Sequence, residues 1–306
     1  MDSDVPSADL PSAGPRFAHL ASAGRGLAGP RFVRAVPAGL WVPGSVPFGF
    51  VSMSRSFTYT AQILSVRQSG ESNREATILT AEEGILRATV FGGPKSKLRA
   101  AVSPYHRGKL WLYVDPVRNS RKITDFEVLD WRPGIREAYH RIMACAVIAE
   151  AVLAGDGGAG SWTEALTLVD QSFRELETAA EEPSQRLVLL FLWRWLALLG
   201  ALPEQGRCGA CGRIVSLDEN LYYVPPEGAF LCTPCYEKLR RPSVQGCLLG
   251  SGARRWIRSM ETVDLRSSVR YTMDSVSLVQ TRDLVAELTF DTLGKRLVTW
   301  YDFMRT

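Results

Sequence analysis

Histidine is nearly absent from this 306-residue chain, which holds only His19, His106 and His140. None of the three stands in an H-x-E or H-E-x-x-H arrangement, and G-x-x-x-x-G-K-[ST] and G-x-S-x-G are also missing. Metalloprotease, deaminase, P-loop and α/β-hydrolase chemistry therefore have no anchor, and the chain reads as a binder and not an enzyme. A long apolar run is lacking too. The longest, Leu187–Leu199, is broken by Arg194 and falls short of the ~20 residues that cross a bilayer, so it reads as a buried core helix with no membrane role. Asp2, Asp4 and Asp9 precede any basic residue and no compact apolar stretch leads to a cleavage site, so no secretory leader is expected and the thiols belong to a reducing cytosol. Residues 1–52 contain neither Lys nor Glu and keep no period. A segment so rich in Ala, Gly, Pro and Ser cannot offset its ordering entropy, and we expect it to be disordered or untranslated, with Met53 as the alternative start. A large net charge is absent as well: +4 cannot by itself mark a nucleic-acid binder.

What is present, with 46% apolar and 22% charged residues, is enough for about two folded domains. From Phe57 the pattern alternates, and 57–66, 74–80, 85–91, 109–114 and 123–129 read as short strands separated by Ser69-Gly70, Glu83-Gly84 and Gly92-Gly93-Pro94. Five such strands suit a small OB-fold barrel, although an SH3-like barrel or a flat antiparallel sheet would give the same string. After Trp131-Arg132-Pro133-Gly134 the period becomes helical over 135–153, 162–180 and 184–199, and later over 246–263 and 282–304. The expected organisation is α+β: residues 53–132 a β domain, 133–306 a helical domain. The glycine-rich stretch 155–160 follows a helix and reads as a linker, and no internal repeat is visible.

The sharpest local signal is Cys208-x-x-Cys211 followed, after a 20-residue spacer, by Cys232-x-x-Cys235. Two such pairs supply four thiolates for tetrahedral zinc in a module over 207–239, with Gly209 and Gly212 at the knuckle and Leu221–Val224 as a ribbon strand. Without an open position or a general-acid Glu beside it, the expected zinc is structural. Cys145 and Cys247 fall in helical patterns and read as small buried residues.

Charge is unevenly placed. Arg87, Lys95, Lys97, Arg99, Arg107, Lys109, Arg118, Arg121 and Lys122 face only Asp115 between positions 87 and 122, with Phe91, Tyr105, Trp111 and Tyr113 interleaved. Cations release counterions from phosphates and aromatic faces accept bases. Arg87, Lys95, Lys97, Arg99, Arg107, Lys109, Arg121 and Lys122 are the candidate contacts, with Lys95, Lys97 and Arg99 on a Gly-Gly-Pro loop expected on phosphate. A solvated face with some core aromatics is the competing reading.

The ordered set Gly70-Glu71-Ser72-Asn73, Leu79-Thr80-Ala81-Glu82-Glu83-Gly84, Gly93-Pro94-Lys95-Ser96-Lys97-Leu98 and Ser103-Pro104-Tyr105 resembles the N-terminal signature of the RecO family, and Leu293–Leu297 resembles its terminal helix. The four-cysteine module within a helical half is similar to its zinc-carrying members. The resemblance spans roughly residues 54–305. It implies an OB-fold, binding of single- and double-stranded DNA, and annealing of complementary strands. It also implies partnership with RecR and with the C-terminal tail of single-stranded-DNA-binding protein to load RecA, in the cytoplasm at the nucleoid. Asn73 stands where the family usually has Asp, a change that a turn cap tolerates, and the basic loop is short, which would lower DNA affinity. For the tail's docking site Trp193, Arg194 and Arg186 are candidates set against core packing and a solvated helix edge. An RNA-binding protein of translation or RNA processing is the alternative, since OB-folds and zinc ribbons serve there too.

Overall fold

Alternation of apolar and polar residues produces five strands in the computed structural model, which describes residues 55–93, 95–239, 245–268 and 270–304; the N-terminal stretch expected to be disordered or untranslated lies outside them. Strands β1 (Ser56–Ser69), β2 (Asn73–Thr80), β3 (Gly84–Val90), β4 (Arg107–Asp115) and β5 (Ser120–Asp130) each contain or overlap the expected segment. They close in the order β1-β2-β3-β5-β4, antiparallel except where β3 meets β5 through Thr89 and Lys122. This closed five-stranded barrel is an OB-fold. One residue in two points inward, so Ala61, Ile63, Ile78, Leu86, Ala88, Leu110, Leu112 and Ile123 fill the interior. Gly108 is required at a register shift between β4 and β5, because a Cβ there would lie 2.1 Å from the Glu127 carbonyl oxygen.

Between β3 and β4 the chain forms a short helix, α1 (Lys97–Ala101). Lys97 and Arg99 therefore lie on a helix and not on the loop the sequence suggested. A 3₁₀ turn at Pro133–Glu137 leads into α2 (Tyr139–Ala154), α3 (Trp162–Leu176) and α4 (Glu181–Leu198). The break between α3 and α4 falls at residues 177–180, ahead of the gap between the expected helices over 162–180 and 184–199. Pro183 is accommodated in the first turn of α4, where its missing N–H costs nothing.

The four-cysteine region contributes β6 (Leu221–Val224), β7 (Ala229–Cys232) and α5 (Thr233–Leu239). Next comes β8 (Cys247–Leu249), which pairs with β6, so Cys247 is in a strand and the expected helix over 246–263 begins later, as α6 (Ser251–Met260). After α7 (Leu265–Ser268), helix α8 (Ser275–Leu293) starts at Asp274, whose side chain accepts the Ser277 N–H at 2.9 Å. It stops at Gly294, at φ +64°. The expected helix over 282–304 is therefore two, and the segment Leu293–Leu297 holds the end of α8 and the break at 294–297 before α9 (Val298–Phe303). The Glu150 carboxylate of α2 accepts the N–H groups of Val298 and Thr299, both at 3.0 Å, and so caps α9 from a distant part of the chain.

Barrel and helices share one core. Leu64 and Leu79, on the outer faces of β1 and β2, are buried with the helical residues, and Gly84 lies against Trp162 so closely that a Cβ would sit 2.7 Å from its ring nitrogen. The 155–160 turn, expected as a linker, touches the barrel too, Gly157 lying against Ile85. At the seam Arg132 is buried in the left-handed conformation, φ +45°. Its guanidinium donates to Gln62 Oε1 at 2.7 Å, to the Tyr105 carbonyl at 2.8 Å and to the Asp170 carboxylate of α3, and it covers the Phe173 ring at 5.6 Å. Asp170 also receives Arg107 at 3.4 Å and Arg174 at 3.3 Å. Nearby, His106 Nδ1 donates to the Ala101 carbonyl at 2.8 Å while Nε2 accepts from Arg136 at 3.0 Å.

Removing one partner of a buried pair typically costs about 3–5 kcal/mol. Arg132→Met should approach the lower end, about 3 kcal/mol, since Asp170 keeps two arginines, whereas Arg174→Gln, at an exposed position, should cost under about 1 kcal/mol. Urea midpoints of the two variants test this, and equal losses would refute the central role of Arg132. Burial, with help from Arg136 and Arg132, holds the His106 pKa below its ordinary value despite the bond to Ala101. The neutral ring is what the fold retains, so its contribution is complete above the unfolded value of about 6.5 and declines as pH falls below it. His106→Gln should flatten the acid limb of the stability–pH curve just below that value; an unchanged limb would show that His106 is not its source.

Candidate nucleic-acid interface and metal centre

The four expected metal ligands are brought together. Cys208 and Cys211 sit on a turn, Cys232 ends β7 and Cys235 lies in the first turn of α5, with all four sulfurs within 4.8 Å of one another. The Cys211 and Cys232 sulfurs are 3.9 Å apart, against the ~3.8 Å edge of a tetrahedron with ~2.3 Å metal–sulfur bonds. Gly212 takes φ +71° at the knuckle, and a Cβ at Gly209 would lie 2.7 Å from that of Ala229. Burial opposes ionisation of Cys208, yet the backbone N–H groups of Cys232, Cys211 and Ala210 outweigh it and bring the thiol down to about 6. Cys232 is likewise buried, and a hydrogen bond from Arg213 helps to hold its thiol below the ordinary value. Donor set, spacing and polarity therefore fit a thiolate-bound metal ion.

Arg254 fastens this module to the helices. Buried on α6, its guanidinium donates to the carbonyls of Ser216, Glu219 (2.6 Å), Val215 (3.1 Å) and Gln205 (3.3 Å). Sequence reasoning missed it. Its one signal was an arginine three residues before Ile257 on the buried face of the helix.

The eight candidate DNA contacts separate into two groups. Arg87, Lys95, Lys97, Lys109 and Lys122 are exposed and make no ion pair among the described residues. Two of them lie over aromatic rings: Lys122 Nζ is 5.0 Å from the Phe91 centroid and Lys109 Nζ is 5.1 Å from that of Trp111. The other three are engaged. Arg107 faces Asp170 at the seam, Arg121 pairs with Glu83 at 3.7 Å, and Arg99 donates to the Ser72 carbonyl at 3.4 Å. Folding also brings Asp125 and Glu127 of β5 beside Trp111 and Lys109, acids that counting along the 87–122 stretch could not include.

Trp193 is buried in α4, Arg186 on the same helix pairs with Glu182, and Arg194 donates to the carbonyls of Met260 (2.9 Å) and Val263, so all three are engaged inside the fold. Tyr105 is half-buried, packed edge-on to Phe173 at 5.4 Å. No helix among the described residues is long and apolar enough to cross a membrane.

Known proteins resemble the chain over both halves. The family model described as "Recombination protein O N terminal" matches residues 53–132 and that described as "Recombination protein O C terminal" matches residues 136–242. The DNA repair protein RecO of Synechococcus sp. (strain JA-2-3B'a(2-13)) is 28% identical over 185 residues, which is 57% of this chain and 64% of that protein. That of Solidesulfovibrio magneticus is 28% identical over 177 residues, 57% of this chain and 70% of the relative. That of Desulforudis audaxviator is 29% identical over 199 residues, 62% and 74% respectively.

One bound metal ion per chain is expected by elemental analysis of the purified protein. Cys208→Ser with Cys232→Ser should abolish it and expose the β6–β7 ribbon to proteolysis, while Cys145→Ser should leave the metal content unchanged. Full metal content in the double variant would refute the assignment.

Proposed function

Because this chain belongs to the recombination protein O family, we propose that it is a DNA repair and homologous recombination mediator. In this reading it binds single- and double-stranded DNA and anneals complementary strands. With RecR it helps to load RecA onto DNA coated by single-stranded-DNA-binding protein, whose C-terminal tail is a further partner. Its place is the cytoplasm, at the nucleoid. The observation that carries the reading is the set of five cations that make no ion pair among the described residues, two of them over aromatic rings, on the outside of an OB-fold barrel. Cations in that state are available to phosphate at no cost in broken ion pairs, and the exposed Phe91 and half-buried Trp111 rings beside them can take bases.

No catalytic step is needed for this role. Annealing requires that two polyanions be held close while their mutual repulsion is screened, which surface cations accomplish. The metal in this reading is zinc in a structural site, supplying cross-links that hold the knuckle, β7 and α5 in place. Four thiolates leave it no open position for water.

The test is annealing of complementary strands coated with single-stranded-DNA-binding protein, across a salt series. Acceleration that fades with salt is expected. Replacing Lys95, Lys97 and Lys122 together by Gln should weaken binding of unrelated sequences equally and reduce the logarithmic salt slope by about 2, at ~0.7 per lost single-strand phosphate contact. Equal affinity for RNA without DNA annealing would overturn the reading in favour of an RNA-binding role.

A further inference from the structure

OB-folds commonly bind oligonucleotides across the face of their second and third strands. Here much of that face is closed. Leu79 of β2 and Leu64 of β1 are buried in the helical core, Thr77 is almost wholly covered, and Gly84 and Ile85 at the start of β3 abut Trp162 and Gly157. Among the described residues the outer face of β4 is more open, with Lys109 exposed and Arg107, Trp111 and Tyr113 half-buried. Its outward residues, read from the far end of the barrel towards the helices, are Tyr113, Trp111, Lys109 and Arg107, alternating with Leu112, Gly108 and Leu110, which are buried. The row spans about 20 Å at ~3.4 Å per residue.

The row is continuous at both ends. Tyr113 is in register with Lys122, whose ammonium lies over Phe91. At the other end Arg107 shares Asp170 with Arg174 of α3, and Arg174 also reaches Asp130 at 3.6 Å. Three arginines (Arg107, Arg132 and Arg174) surround two aspartates (Asp130 and Asp170) there, leaving one positive charge at the seam. The two flanks differ. On the β1 side the register partners of Trp111 and Lys109 are Thr58 and Thr60, with one carboxylate, that of Glu82, 3.5 Å from the Thr60 nitrogen; on the β5 side the register partners are themselves acids, Asp125 and Glu127.

We propose that the outer face of β4 is a track for single-stranded nucleic acid that starts at Phe91 and Lys122, crosses from barrel to helices and ends at Arg174, and that its acidic flank excludes duplex. This rests on the nucleic-acid reading above and adds a path, a residue of the helical part and a substrate preference. Trp111 offers a ring to a base while Lys109 leaves that ring for phosphate, and Arg107 and Arg174 continue the cationic edge. Neighbouring strands are only ~4.8 Å apart. A single strand can shift towards the hydroxyl-bearing β1 side, but a duplex carries charge on two backbones and would lay phosphate over Asp125 and Glu127.

Fluorescence anisotropy with labelled dT oligomers of about 4 and about 16 nucleotides, the range of OB-fold site sizes, and with a duplex decides the matter on the full chain. Trp111→Ala should weaken single-strand binding at least about fivefold, the lower end for one lost base stack, without changing duplex affinity, and Trp111→Phe should restore it. Arg174→Gln should weaken the long oligomer and spare the short one. Asp125→Asn with Glu127→Gln should strengthen duplex binding, a gain that damage to the fold cannot imitate. If Trp111→Ala and Arg174→Gln bind as the parent does while Lys95→Gln with Lys97→Gln binds weakly, the track is refuted and the DNA-binding reading stands. If the parent binds no nucleic acid at low salt, both fall.

Discussion

Arg132 is one guanidinium asked to satisfy two halves of a molecule. Buried where water cannot solvate it, it must find acceptors, and it finds them in a barrel side chain, a barrel carbonyl and a helix carboxylate at once. Ionised arginine has five N–H donors in a rigid fork, so meeting those acceptors fixes both distance and angle between β1 and α3. Apolar contact alone would leave the barrel free to slide on the helices. The polar set at the seam specifies one docking, and the left-handed backbone of Arg132 is the local strain accepted to aim it.

The same logic recurs around the metal centre. A ribbon of two four-residue strands has too little apolar surface to hold itself, and its shape rests on three supports: four sulfurs around a common point, the third strand β8, and Arg254 gripping four carbonyls from below. Two buried arginines thus do comparable structural work in separate places. Each is a charge whose desolvation is offset by several acceptors at its two terminal nitrogens, although the buried Nε of Arg254 finds none among the described residues, and neither is available to a partner.

Much of this was legible in the chain. Alternation gave five strands because a barrel buries one face only, and paired cysteines announced their cluster because knuckle spacing is set by tetrahedral geometry. What escaped detection depends on non-local contacts. Cys247 is a strand residue because β6 offers it an edge, which no helical period encodes. The terminal helix divides at Gly294, a residue whose backbone freedom reads as a break only when the capping geometry is seen. Of the candidate contacts, Arg107 and Lys109 are two residues apart and look alike in sequence. One is committed to Asp170 across the seam, while the other lies over Trp111 and makes no ion pair among the described residues, because α3 brings its carboxylate to Arg107 alone.

The closed face of the barrel also matters during synthesis. The last residue of β5 and the end of α3 are 46 positions apart, Asp130 to Leu176, an interval of roughly 2–9 s at ribosomal rates of about 5–20 residues per second. Through that interval the nascent barrel presents Leu64, Leu79 and Ile85 bare, and Arg132, made two residues after β5, waits for the Asp170 carboxylate that will pair with it. The emerging chain is therefore sticky before it is functional. A chaperone acting on it at the ribosome would have a defined target, the patch that the helical half later covers.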